Sequence, residues 1–311
     1  MLISNYLKLA RIDYWPKNVF VLPGIIFYLI IVKPADILNI HNFLLIIFSL
    51  LAICIICSSN YILNEIADLR TDKFHPLKKK RPLVSGKISL FQATFAYFFF
   101  LVCGLWIGFL INNKFFFSLL LLILMGILYN LKPIRAKDTA YLDVITESFN
   151  NVIRFFLGWS ILNVDYFPPV SLLIIFWFGG SFLMSVKRFA EYRFLKKKNL
   201  IKYILSFKNY TENSLLLSSI FYCLISCLFM GIFLIKYKIE TLISFPFIAM
   251  SFIYYLNIGL QKNSLAQSPE LIFKNKKLML LFLVTVIIFL ITTKIDIPMF
   301  YLFQNISLLK Y

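Results

Sequence analysis

The chain has 311 residues, 60% hydrophobic and 18% aromatic, with a formal charge of +18 at pH 7. With a mean hydropathy of +0.83, so much apolar side chain cannot be hidden in a soluble globular domain of this length, which excludes that class. The charge is spread between apolar runs rather than gathered on one face, so no nucleic-acid partner is expected.

Residues 11–18, RIDYWPKN, place Lys17 and Asn18 just ahead of a first apolar stretch centred near Phe27 and broken by Pro23-Gly24. Lys8, Arg11 and Lys17 precede a stretch without a small-residue cleavage site, so no cleaved signal peptide is expected. The second stretch, centred near Leu50, includes Phe43–Cys57 with a single Ser. Its Cys54-x-x-Cys57 lies within an apolar helix, where small packing residues are the better reading than a redox or zinc pair.

Where this stretch ends, Asn64, Asp68 and Asp72 recur at i, i+4 and i+8. On a helix that spacing makes one stripe on which the oxygens converge. Clustered carboxylates repel unless a cation lies between them, and oxygen donors with room for water and phosphate suit Mg2+ better than zinc. His75, beside Pro76, is read as shaping the turn. Lys78, Lys79, Lys80 and Arg81 follow at once, before Pro82 and Ser85-Gly86. Metal-holding carboxylates backed by a basic loop form a plausible diphosphate site. A solvated charge run facing lipid headgroups explains the lysines but not the acidic spacing.

Two further stretches, near Leu101 and Leu122, lead to a fifth near Ile153 that is studded with polar groups. Asp143, Glu147, Asn150 and Arg154 share one helical face, and Arg154 is the expected cation for the two carboxylates. A purely structural buried ion pair is the alternative. The sixth stretch, Val170–Val186, carries no charge and runs into KRFAEYR at 187–193, where Lys187 and Glu191 stand at i, i+4 beside Arg188 and Arg193. Stretches near Cys223, Phe252 and Val284 bring the count to nine.

Of the 32 Lys and Arg, 25 lie in the N-terminus and the loops after stretches two, four, six and eight. This asymmetry is that of the positive-inside rule and predicts a cytoplasmic N-terminus and nine crossings. The expected fold is therefore all-α: a polytopic membrane protein of about nine transmembrane helices around a cytoplasm-facing cavity, built as one domain over residues 1–311. Its substrates would be one water-soluble molecule and one dissolved among the membrane lipids.

With these residues assembled, the chain resembles the UbiA superfamily of membrane prenyltransferases. The family's N-D-x-x-D-x-x-x-D run stands here as Asn64-Glu65-x-x-Asp68-x-x-x-Asp72, with Glu in place of the second residue. A narrower likeness is to its polyprenyl-phosphate phosphoribosyltransferase branch. It rests on RIDYWPKN, HPLKKKRPLVSG at 75–86, Asp143 and Arg154, KRFAEYR and a weaker SPE at 268–270. The stretch PIRAKDTAYL after Lys132 departs from the family in its length.

The resemblance implies transfer of 5-phosphoribose from phosphoribosyl diphosphate to a polyprenyl phosphate at the inner (cytoplasmic) membrane of a bacterium. Asn64, Asp68 and Asp72 would hold Mg2+ on the diphosphate, with Lys78 and Arg81 on its other oxygens. Lys17, Asp143, Glu147, Arg154, Lys187, Arg188 and Glu191 would complete substrate binding. The rival readings are a UbiA-type prenyltransferase joining an isoprenyl diphosphate to an aromatic acid, and an anionic-lipid transporter.

Overall fold

The computed structural model describes residues 2–32, 39–73, 78–162, 165–195, 205–261, 264–267, 272, 274–298 and 300. Among these, all regular structure is helical. In chain order the elements are α1 (Leu2–Leu9), a 3-10 segment (Ile12–Val21), α2 (Leu22–Val32), α3 (Ile40–Ala67), α4 (Leu69–Asp72), α5 (Leu90–Ile111) and α6 (Asn113–Asn130). They continue with α7 (Leu142–Ser160), α8 (Val170–Leu195), α9 (Glu212–Tyr237), α10 (Phe245–Leu260) and α11 (Lys276–Thr292).

Each of the nine apolar centres expected from the sequence falls inside one of these helices. Among the described residues six stretches are long and apolar enough to cross a bilayer: α3, α5, α6, Val170–Arg193 of α8, α9 and Ile239–Leu260. The pair Ser4–Pro16 and Asn18–Val32, bent by 49°, makes a seventh if it counts as one span. The expected number of nine is therefore not reached on length and composition among the described residues. Helix α7 falls short because it carries Asp143, Glu147 and Arg154, and α11 because it has 17 residues.

Helix starts coincide with polar caps at the edges of the apolar runs. Asn39 accepts a hydrogen bond from Asn42 N, Ser89 and Gln92 form a capping box on α5, and Thr211 with Ser214 does the same on α9. Such caps satisfy backbone donors that would otherwise be orphaned. Helix α5 displays Phe91, Phe95, Phe98, Phe99, Val102, Trp106 and Phe109 outward, Phe91 at 82% exposure. That face would be an aggregation liability in water and is an ordinary outer surface in hydrocarbon.

The chain divides into two compact units: Met1–Pro168 with Leu195–Tyr210, and Pro169–Phe194 with Thr211–Tyr311. In the first, Val21, Ile25, Ile53, Ile56, Phe115, Leu119, Ile153 and Leu157 form one core joining α2, α3, α6 and α7. A second core of Leu9, Ile62, Leu63, Leu83, Ile88, Ala93 and Tyr97 ties α1, α3 and α5 to the loop after Arg81. This second cluster fixes where the basic loop stands.

Close approach of α2 and α7 depends on two glycines. A Cβ on Gly24 would lie 2.0 Å from the Phe155 carbonyl oxygen, and one on Gly158 2.1 Å from that of Val21. Backbone meets backbone there, as small residues permit between helices in lipid. In the second unit, Phe182 packs on Phe252 and Tyr255 with ring centroids 5.0 and 5.7 Å away. Gly259 fits against Val186.

Candidate active site

The N-terminal motif is fastened along one face of α3. Trp15 Nε1 donates to Ser58 Oγ at 3.0 Å. Asn18 donates to Cys54 Sγ at 3.2 Å and accepts from Cys57 Sγ at 3.3 Å. The guanidinium of Arg11 lies 5.3 Å from the centre of the Tyr61 ring. Residues 54, 57, 58 and 61 recur at helical spacing, so the segment runs beside α3 for two turns. The C-x-x-C pair thus packs, as expected, and also clasps an asparagine. Lys17 falls within the same segment, but its side chain is outside the described residues, as are His75 and the SPE at 268–270.

The acidic stripe changes character where α3 ends. Asp68 caps α3, and α4 carries the chain on to Asp72. Backbone bonds from Asp68 N to Asn64 O (3.0 Å) and from Asp72 N to Asp68 O (2.9 Å) keep the three side chains on successive turns. Among the described residues no three His, Cys, Asp or Glu side chains gather as a metal cluster.

Each aspartate is clasped by two cations. Asp68 Oδ1 accepts from Lys137 Nζ at 2.6 Å and from Arg135 Nη2 at 2.8 Å. Asp72 pairs with Arg81 and, at 3.5 Å, with Lys78. The physical reason is charge: carboxylates one turn apart repel, and each is drawn to the basic loop nearest it. Burial alone would raise the Asp68 carboxyl, but Lys137, Lys78 and Arg135 outweigh it and hold its pKa below the ordinary value. Burial lowers the ammonium pKa of both Lys78 and Lys137, although Asp72 and Asp68 act in the opposite sense.

Arg135 and Lys137 were not singled out by the sequence reading. They belong to the stretch whose length departs from the family, and in a loop rich in cations they read as topology signals. Arg135 is braced further by Asp138 Oδ2 at 2.7 Å and by the Asn130 carbonyl at 3.1 Å, while Lys137 also donates to Asn130 Oδ1 at 2.9 Å. A lysine next to an acidic residue, directly before a polar helix, was the available signal.

Glu65, the residue that departs from the family signature, is buried. Its Oε1 accepts from Leu83 N at 2.9 Å, which pins the basic loop to α3. Its Oε2 has no hydrogen-bond partner. A carboxylate one methylene longer than aspartate thus reaches the loop backbone.

Helix α7 also behaves differently from expectation. Asp143 is fully buried and accepts from Ser206 Oγ at 3.0 Å and Tyr210 Oη at 2.7 Å. Tyr210 Oη in turn receives the Tyr141 backbone N–H at 2.6 Å. Tyr141 has φ 65, a left-handed conformation costly for a side chain of its size. Asp143 therefore stabilises a strained helix start, and Arg154 is not its partner. Arg154 reaches Cys57 Sγ at 3.9 Å, with Glu147 and Tyr61 among its charged or polar neighbours. Arg154 Nε and Asn150 Oδ1, one turn apart, are buried without hydrogen-bond partners. Such a pair is suited to a polar ligand.

In the second unit, Arg188 is buried and donates to Glu191 Oε2 at 3.0 Å. Lys187 stands 4.0 Å from the other carboxylate oxygen. The stronger pair is thus i, i+3 rather than the i, i+4 pair read from the sequence.

Hard oxygen donors fit the metal that the spacing suggested. Mg2+ takes one or two carboxylates, keeps several waters and shares phosphate oxygens. Asp68 and Asp72 with the Asn64 amide supply that donor set without a three-carboxylate cage.

Apolar helices that hold paired carboxylates and basic loops where a long span ends are the marks of a membrane-embedded transferase. The chain belongs to the UbiA prenyltransferase family, whose profile matches residues 21–284. It is 26% identical over 219 residues to the decaprenyl-phosphate phosphoribosyltransferase of Mycolicibacterium smegmatis, covering 69% of this chain and 65% of that protein. It is 29% identical over 192 residues to the uncharacterized protein y4nM of Sinorhizobium fredii, covering 61% of this chain and 34% of that one. The chain therefore spans about a third of y4nM and just under two thirds of the phosphoribosyltransferase. Its fold is similar to that of a UbiA homologue from Archaeoglobus fulgidus solved with GPP and Mg2+, with a TM-score of 0.70 at 22% identity over 94% of this chain and 100% of that one. A digeranylgeranylglyceryl phosphate synthase structure matches with a TM-score of 0.67 at 20% identity over 94% and 99%.

Proposed function

We propose that the chain transfers 5-phosphoribose from phosphoribosyl diphosphate to a polyprenyl phosphate at the inner membrane of a bacterium, with its N-terminus and active site cytoplasmic. The observation that carries this reading is the clasp of two buried aspartates by four cations, Lys78, Arg81, Arg135 and Lys137. Two phosphorylated substrates call for more cations than one diphosphate does. The family membership and the relative from Mycolicibacterium smegmatis support the same reading.

Asn64, Asp68 and Asp72 would hold Mg2+, which neutralises charge on the diphosphate leaving group when bound. Lys78 and Arg81 turn from Asp72 to the remaining diphosphate oxygens, and Arg135 and Lys137 are positioned to do the same from Asp68. Arg154, with its unpartnered Nε, takes a further phosphate group and Glu147 orients it; in the second unit Lys187 and Arg188, oriented by Glu191, are by themselves a second pair of phosphate-binding cations. An oxygen of the lipid phosphate attacks C1 of the ribose, the C1–O bond to diphosphate breaks, and diphosphate leaves with that electron pair. The acceptor is already an anion, so positioning and charge stabilisation supply the catalysis without a dedicated base.

The test is purified protein with Mg2+, labelled phosphoribosyl diphosphate and a polyprenyl phosphate, followed by extraction into organic solvent. Label moves into the organic phase, and Asp68→Ala abolishes the movement. Activity on an isoprenyl diphosphate and an aromatic acid instead, or lipid transport without covalent product, would overturn the assignment.

A further inference from the structure

Next to Arg81, which it shares with the proposed diphosphate site, the first unit carries a basic hollow whose other residues the proposed transfer does not use. An open cleft of about 600 Å3 lies between α1, the start of the Ile12–Val21 segment and the Lys78–Lys80 turn. Its walls include Lys8, Arg11, Lys80 and Arg81, with Asp13 as the lining acid and Leu7 on the apolar edge.

Arg11 is the central residue. It adopts φ 49, in the left-handed region that favours glycine, at the turn out of α1. Its guanidinium stacks near the rings of Tyr14 and Tyr61, 5.7 and 5.3 Å from their centres. Nη2 is nevertheless buried with no hydrogen-bond partner. Unsatisfied buried donors are rare because they forfeit water without replacement, and the loss is greater for a charged group. Its charged neighbours are Arg81 and Glu65, and Glu65 Oε2 is itself buried and unpartnered. A ligand that accepts strongly from a planar fork, and is drawn to lysines on the outer walls, is a phosphate ester.

We propose that this cleft binds a phosphomonoester anion, with Arg11 as its buried donor and Lys8 and Lys80 as its outer counter-charges. The site is separate from the Asp68–Asp72 pair and is joined to it through Arg81. The phosphate belongs either to a lipid or to a soluble compound, and the chemistry of recognition is the same.

The purified full chain, without Mg2+ or any donor, is titrated with radiolabelled short-chain phosphatidic acid in one arm and radiolabelled inorganic phosphate in the other. Phosphatidylcholine of the same chain length serves as competitor. Arg11→Gln weakens binding at least about tenfold and Lys80→Gln about threefold, while Arg193→Gln, at an exposed pair, leaves it within about twofold of the wild type. Loss confined to the phosphatidate arm assigns a lipid phosphate, and loss in the inorganic arm a soluble one. Wild-type binding by both Arg11→Gln and Lys80→Gln, or equal competition by phosphatidylcholine, would overturn the proposal. Lys80 is exposed, so its variant decides the matter even if Arg11→Gln does not fold. No phosphoribosyl donor is present, so failure of the transfer reaction leaves this result standing.

Discussion

Replacing Lys137 by Met separates the strength of the buried clasp from the chemistry it serves. Lys137 Nζ lies 2.6 Å from Asp68 Oδ1 and 2.9 Å from Asn130 Oδ1, so the change removes a charge partner and orphans an amide oxygen. Breaking a buried pair costs about 3–5 kcal/mol and an orphaned buried acceptor about 1–3. Arg135 stays 2.8 Å from the same carboxylate oxygen, and methionine no longer bears the cost of burying an ammonium group. These offsets leave a net loss of about 2–3 kcal/mol. The exposed Arg193–Glu212 pair is the comparison: Glu212→Gln costs about 0–1 kcal/mol.

Reversible unfolding in mixed micelles, followed by circular dichroism, reads both numbers. Acid adds a second check. Despite its burial, Asp68 is held below the ordinary carboxylate pKa of 3.8, so its pairing stabilises fully above that pH and is lost as pH falls through the lower folded value. The gap between wild type and Lys137→Met is therefore constant from neutral pH down to about 4 and closes below it. Equal stability at pH 7, or a gap that widens in acid, would refute the reasoning.

Three other outcomes follow from the same structure. Gly158→Ala drives a methyl into the Val21 carbonyl and costs about 3 kcal/mol or more, whereas Gly231→Ala, with nothing within 4 Å of its added Cβ, leaves the melting temperature equal or higher; thermal unfolding of the two variants checks this. Tyr210→Phe removes a buried hydrogen bond to a carboxylate and lowers stability by about 1.5–3 kcal/mol, with KM for either substrate unchanged if Asp143 is structural. Chelation of divalent ions abolishes transfer and leaves the melting temperature of the substrate-free protein within about 2 °C, because Asp68 and Asp72 are already neutralised by protein cations.

The helices were legible because hydropathy is local: a run such as Phe43–Cys57 declares itself without reference to anything distant. The acidic spacing at 64, 68 and 72 was legible for the same reason, since the three residues lie close together in the chain where α3 passes into α4. What escaped was pairing across the chain. Arg135 and Lys137 reach Asp68 from 67 and 69 residues away, and Tyr210 reaches Asp143 from 67. A cation in a loop looks the same whether it sets topology or fills a site, so Lys137 blended into the positive-inside signal. Asp143 was legible as a polar residue in an apolar stretch, but its partners Ser206 and Tyr210 were not. Ionisable residues within membrane helices usually serve function, and here the carboxylate holds the strained backbone at Tyr141.

The bond between Asp143 and Tyr210 also constrains how the protein is made. The first unit is closed by residues 195–210, which are synthesised only after the chain has left that unit and produced α8. Until Ser206 and Tyr210 emerge from the ribosome, Asp143 has neither hydroxyl and Tyr141 lacks the acceptor for its N–H. The early helices must therefore wait, inserted but unfinished, for a stitch that arrives late. A chain cut at the loop after α7 would carry the whole aspartate clasp, yet its seventh helix would begin on an unsupported residue.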